Sequence, residues 1–244
     1  MTTNDVLTDC CTIPAAEIGS KAGRSTLDSC STVPSDDTNT EALDDLRKQT
    51  TTPEAAAVRA ATFRLLLDEG RPVTAADLEA KTGLDASVIA EVIERGAGRV
   101  ELDDHRHIVG IAGLTINPTR HQLIIKNETR WTWCALDAVG ILGALKATGA
   151  IRSTDPRTGD AIEIQFVEGD PRGDAALFIL GGYDGGNVRE EWCPLVNFFT
   201  THREAEAWVA DNDLNGDIVS VVQVAEEAAA MWRPVTDPTP SNQT

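Results

Sequence analysis

The chain has 244 residues, 41% of them hydrophobic, which is enough for one sizeable core or two modest ones. Its 39 acidic and 21 basic residues give a formal charge of −18, a balance that repels nucleic-acid phosphate and argues against a nucleic-acid partner. Only five of the basic residues are Lys, and such an acidic, Lys-poor surface suits either high salt or an ordinary cytosol.

The start, "MTTNDVLTDCC", has no basic stretch followed by an apolar one, and no apolar run reaches membrane-spanning length. A cytoplasmic protein without a membrane partner is expected. There the five cysteines stay mostly reduced, which favours reactivity or metal binding over a disulfide framework. Residues 1–45 are rich in Ser, Thr, Asp and Pro and lack periodic apolar positions, the composition of a disordered arm. The arm carries an internal echo, "LTDCCTIP" at 7–14 and "LDSCSTVP" at 27–34, which aligns Cys10 with Cys30. Thiolates prefer soft ions, so Cys10, Cys11 and Cys30 read either as a tethered metal relay or as incidental thiols.

Residues 46–115 read as a small helical module. Pro53 suits a helix start, "AAAVRAATFRLLLDEG" has helical apolar spacing and stops at Gly70, and Thr74 and Asp85 are N-cap residues for two short helices around Gly83. "RVELDDHRHIVGIAGLT" follows as a hairpin. Helix, helix-turn-helix and hairpin make a winged-helix-like order. The second helix of the pair, "ASVIAEVIERG", carries acids and one Arg, whereas a DNA-reading helix uses basic and amide side chains. A structural or substrate-covering role is expected instead.

In residues 116–244, "HQLIIKN" reads as a strand leading into a helix over 131–146. Strands follow in "RSTDPRTGDAIEIQF" and "AALFILGG", then "EEWCPLVNFFT" with Cys193, an amphipathic helix in "HREAEAWVADN", and a strand running into a final helix in "DIVSVVQVAEEAAAMW". The fold class is α+β: a winged-helix-like module followed by a mixed α/β core with mainly antiparallel strands.

The most hydrophobic stretch, "WTWCALDAVGILGAL" (131–145), places Cys134 three residues before Asp137. At helical spacing the two share a face, with Trp131 and Trp133 to exclude water and Trp133 as a pocket wall. A carboxylic acid in such a pocket keeps its proton to higher pH. Three readings stay open on the residues alone. Cys134 and Asp137 are structural, or they carry proton and thiol chemistry, or a Cys nucleophile works with His105, His107, His121 or His202. Zinc is disfavoured, since neither CxxC nor HxxxH spacing occurs.

"WTWCALDAVGILGAL" and, some fifty residues on, "EEWCPLVNFF" resemble the core of the organomercurial lyases, also called alkylmercury lyases. The resemblance extends to "GRPVTAADLEAKTGLDASVIAEVIE" and "AEAWVADN" and covers roughly residues 50–232. It implies that Cys134, Asp137 and Cys193 are catalytic, and that the two thiolates, with Asp137 beside them, hold the Hg(II) product. It further implies an organomercury substrate, no required cofactor, and small-molecule thiols and a mercuric reductase as acceptors of Hg(II). The sequence departs from the family at Pro194, where another cysteine is common, and in "RSTDPRTGD", which lacks a hairpin cysteine; neither touches the three working residues. The chemistry fits independently, because soft sulfur matches a soft metal and an acid can protonate the departing carbon. The alternative is a non-catalytic thiol-based mercury- or metal-binding protein, or a winged-helix sensor, although a sensor would need the basic surface this chain lacks.

Overall fold

The computed structural model describes residues 52–182 and 186–237, and Cys10, Cys11 and Cys30 lie outside them. Helix α1 (Pro53–Glu69) begins where Thr52 accepts the Ala55 N–H and Pro53 occupies the first turn, and ends at Gly70 in the left-handed region. In α2 (Ala75–Thr82) Thr74 and Asp77 cap each other reciprocally. Asp85 stands at the N-cap of α3 (Ala86–Arg95), as its position in the sequence suggests, but its side chain makes no capping bond. Strands β1 (Val100–Leu102) and β2 (Ile108–Ile111) form the expected hairpin, and Val73 bridges to Ile108 beside it.

That hairpin continues into a larger sheet. With β3 (Leu114–Thr115), β4 (His121–Ile125), β5 (Glu128–Thr132), β6 (Gly149–Thr154), β7 (Ala161–Val167) and β8 (Asp170–Arg172), the order is β1-β2-β3-β5-β4-β6-β7-β8, antiparallel throughout. A second antiparallel sheet has β9 (Ala176–Leu180) between β10 (Asn197–Phe199) and β11 (Gly216–Ser220). Helix α4 (Ala135–Ala144) lies at the centre, and α5 (His202–Asp211) and α6 (Val221–Thr236) follow the order read from the sequence. The class is α+β with antiparallel sheets. Among the described residues no helix is long and apolar enough to cross a membrane.

The expected helix over 131–146 is corrected at both ends. Residues 128–132 form β5, paired with β4 around a two-residue turn at Lys126 and Asn127, both with positive φ as such hairpin turns demand. Trp131 therefore pairs in a sheet opposite Gln122 and Thr115, and α4 starts only at Ala135. The apolar run "WTWCALD" spans the end of a strand and the start of a helix, and hydrophobicity alone does not mark that junction.

Helix α4 is buried along almost its whole length, with Ala138, Val139, Ile141 and Leu142 fully enclosed. Its neighbour is α6. The two approach closely because α4 presents glycines: a Cβ on Gly140 would stand 2.1 Å from Cε3 of Trp232, and one on Gly143 2.8 Å from the Cβ of Ala229. The indole N–H of Trp232 donates to the carbonyl of Ala112 at 2.8 Å, fastening α6 to the β2–β3 turn. Replacing Gly140 with Ala should therefore push Trp232 out of its seat and cost about 1–3 kcal/mol, the usual range for overpacking a tight core. A thermal melt unchanged from that of the parent protein would contradict this packing.

Candidate active site

Cys134 is the N-cap of α4, in extended conformation at φ −143° and ψ 174°. Its backbone N–H donates to Oδ2 of Asp137 at 2.9 Å, and the Asp137 N–H donates back to the Cys134 sulfur at 3.4 Å. This is a capping box in which a thiol stands where Ser or Thr is usual. The three-residue spacing thus has a different cause from the shared helical face that the sequence suggested. Cys134 lies outside the helix, and reciprocal capping brings thiol and acid together.

Cys193 arrives from the other side. A single π-type turn at Val188–Trp192 leads into a 3-10 turn at Cys193–Leu195, and Pro194 fits its first positions. The indole N–H of Trp192 donates to the Leu180 carbonyl at 3.1 Å. The Ala135 N–H, one of the free donors of the α4 terminus, is satisfied by the Val196 carbonyl at 3.1 Å. The loop after Cys193 is thereby tied to the residue after Cys134. The ligand atoms of Cys134, Asp137 and Cys193 lie within 4.8 Å of one another, all three residues are buried, and both thiols are free.

The roof over the acid is the β2–β3 turn. Gly113, at φ +80°, approaches so closely that a Cβ there would stand 2.1 Å from Oδ1 of Asp137. Its carbonyl accepts the Trp133 N–H at 2.9 Å. Burial pushes the Asp137 carboxyl up from 3.8 to about 6, against the hydrogen bonds from Cys134 and the positive charge of half-buried Arg59 on α1, which favour its ionised form. Burial also drives the Cys134 thiol well above its ordinary value, with Cys193 and the Asp137 charge adding to the effect. At Cys193 the Cys134 thiol favours the thiolate, but burial and the Asp137 charge outweigh it and the net direction is upward, with Arg189 opposing.

The weighed histidines lie elsewhere. His121 is buried, its Nδ1 is 3.0 Å from the Ser153 hydroxyl, and burial pushes it down to about 3, so it stays neutral. His107 pairs with Asp103 in the β1–β2 turn, and exposed His202 faces Glu206 on α5. None of the four joins the Cys134, Asp137 and Cys193 group. Trp133 lines an open cleft of about 510 Å3 with Thr119, Arg120, His121, Arg189 and Pro194 among its other walls. Two of these walls are chain neighbours of the thiols, Trp133 of Cys134 and Pro194 of Cys193, while the thiols themselves are buried.

Sequence reasoning missed Gly113, Arg59, Arg189 and Glu101, of which the last bonds to Trp133 and Arg189. For Gly113 a signal existed in the "IAGLT" turn. Glu101 sits at the centre of "VEL", where alternation in a short strand puts one residue inward.

An alkylmercury lyase of Staphylococcus epidermidis is 30% identical over 173 residues, which are 69% of this chain and 76% of that protein. The chain belongs to the alkylmercury lyase family. The family model described as alkylmercury lyase matches residues 114–233 of this member, a span that holds Cys134, Asp137 and Cys193. The alkylmercury lyase of Bacillus cereus is 28% identical over 182 residues, 72% of this chain and 82% of its own length. The crystal structure of the mercury-bound form of MerB2 shares the fold, with a TM-score of 0.70 at 21% identity over 81% of this alkylmercury lyase family chain and 100% of that one.

The raised Asp137 value has a consequence for stability. A carboxyl that holds its proton to higher pH when folded than when unfolded contributes stability fully below about 4, and loses it as pH rises through about 6. Asn at this position still accepts the Cys134 N–H but does not titrate. Between pH 4 and pH 7 the stability of the parent protein relative to Asp137→Asn should fall by a few kcal/mol. Chemical denaturation across that range reads the difference, and a difference independent of pH would show that Asp137 titrates normally.

Proposed function

We propose that this chain is an organomercurial lyase that cleaves the carbon–mercury bond of alkyl- and arylmercury compounds by protonolysis. The observation that carries the reading is the enclosure of two free thiols and a high-pKa acid within 4.8 Å of one another. Two sulfurs match a soft metal that prefers linear two-coordination by thiolate, and a carboxyl beside them is placed to move a proton.

The reaction balances as R–Hg⁺ plus two Cys–SH giving R–H, a bis-thiolate Hg(II) and one proton. Asp137, ionised at first, takes the proton of a thiol as its sulfur bonds mercury. It then delivers that proton to the carbon as the carbon–mercury bond breaks and its electron pair goes to the new C–H bond. Mercury is left between Cys134 and Cys193. No redox change occurs, so no redox cofactor is called for. The closed apolar surroundings of α4 keep bulk water from the transfer and suit hydrocarbon groups. Hg(II) then leaves to small-molecule thiols and onward to a mercuric reductase, which places the protein in a reducing, cytoplasmic setting where its thiols stay free.

Purified protein incubated with phenylmercury and excess small thiol should release benzene. Cys134→Ser and Cys193→Ser should each abolish turnover, and Asp137→Asn should lower it about a hundredfold or more while keeping the fold. Stoichiometric capture of Hg(II) without hydrocarbon release would instead identify a sequestering protein, and full activity in a folded Asp137→Asn variant would remove the acid from the mechanism.

A further inference from the structure

Glu101 is a buried carboxylate, 6% exposed, at the centre of β1. Four side-chain donors converge on it. Oε2 accepts from the Thr115 hydroxyl at 2.8 Å and from the Trp133 indole N–H at 3.0 Å. Oε1 accepts from the Asn117 amide at 2.7 Å and from the Arg189 guanidinium at 3.0 Å. The surroundings are shaped to this carboxylate, since a Cβ on Gly110 would stand 2.6 Å from Oε2 and 3.0 Å from the Trp133 nitrogen.

Two of these partners border the thiols. Trp133 precedes Cys134 directly, and Arg189 lies four residues before Cys193 on the turn that delivers it. We propose that Glu101 is a positioning residue for the two thiols: one carboxylate, reaching Trp133 with one oxygen and Arg189 with the other, fixes the separation of Cys134 and Cys193. This rests on the lyase reading for its catalytic consequence, though not for its geometry. A carboxylate suits the place because it accepts at both oxygens and donates at neither. Gln offers one acceptor oxygen and an NH2 group that must face either Arg189 or the Trp133 indole, both of which can only donate. One tether is lost whichever way the amide turns. The bond on the Arg189 side is charge-assisted and so among the stronger ones.

Displacement of a reacting group by a fraction of an ångström is felt in the chemical step more than in binding. Full-length Glu101→Gln should therefore show a kcat for phenylmercury reduced about ten- to a hundredfold with KM little changed. It should also lose Hg(II) to a competing dithiol faster than the parent protein, with a weakened near-ultraviolet bis-thiolate band, while circular dichroism reports a folded chain. Trp133→Phe, which removes the indole N–H and keeps a smaller aromatic ring, and Arg189→Met should each reproduce part of the loss. Adding Arg189→Met to Glu101→Gln should cost no more than Glu101→Gln alone. Unchanged kcat and Hg(II) retention in Glu101→Gln, or a loss matching the unfolded fraction in both Glu101→Gln and Arg189→Met, would overturn the proposal. Absence of benzene from the parent protein would sink the lyase reading instead, and the Hg(II) competition would still decide the role of Glu101.

Discussion

A carboxylate buried in an apolar helix is the constraint around which this fold is arranged. Asp137 sits where transfer from water costs most, and the cost is met by placing it in the first turn of α4, with the Cys134 N–H in hydrogen-bond reach. The same bond sets the Cys134 backbone and aims its sulfur at the Asp137 N–H. Capping and chemistry therefore use the same atoms. A hydroxyl would serve the cap as well as a thiol does. The presence of sulfur at this position points beyond the cap, to a soft ligand.

Holding that corner closed requires contacts from distant parts of the chain. Val196 ties the Cys193 loop to Ala135, the β2–β3 turn lies on Asp137 through Gly113, and Trp232 of α6 secures that turn through Ala112. Gly140 permits Trp232 to reach that far. Ala112 itself has a φ of +52°, an uncommon conformation for a residue with a Cβ, held here by the two-residue turn and the indole bond. The result is a site whose walls come from residues before 116 as well as after. Arg59 by its charge, Glu101 through Trp133 and Gly113 by its close approach reach it from the part of the chain before residue 116.

What the sequence disclosed follows from how local each signal is. Caps at Thr52 and Thr74, the stop at Gly70, the hairpin after Val100 and the final strand and helix are written within a few neighbouring residues. Cys134, Asp137 and Cys193 were legible because two motifs carried a family resemblance. The junction at Trp133 was not, because the stretch "WTWCAL" carries large apolar side chains from the end of β5 into the start of α4 without a glycine or proline between them. Glu101 was hidden for the opposite reason. In a chain with 39 acidic residues one more Glu beside Asp103 and Asp104 looks like solvated surface, and the alternation that turns it inward spans only three residues.

Acidity outside and acidity inside do different work in this protein. Among the described residues most carboxylates are exposed, and Glu163 and Glu226 pair with arginines at the surface, where such pairs add little to stability. The two enclosed near the thiols divide by their partners. Glu101 meets four donors, including a guanidinium, and so stands as a fixed anchor. Asp137 receives backbone and thiol contacts, with Arg59 acting only by its charge, and burial prevails over them. An acid left less fully compensated is one whose proton can come and go near neutral pH, whereas a saturated one holds its neighbours in place. On the proposed lyase reading the two roles are complementary: a rigid carboxylate sets where the sulfurs stand, and a labile one beside them carries hydrogen to carbon.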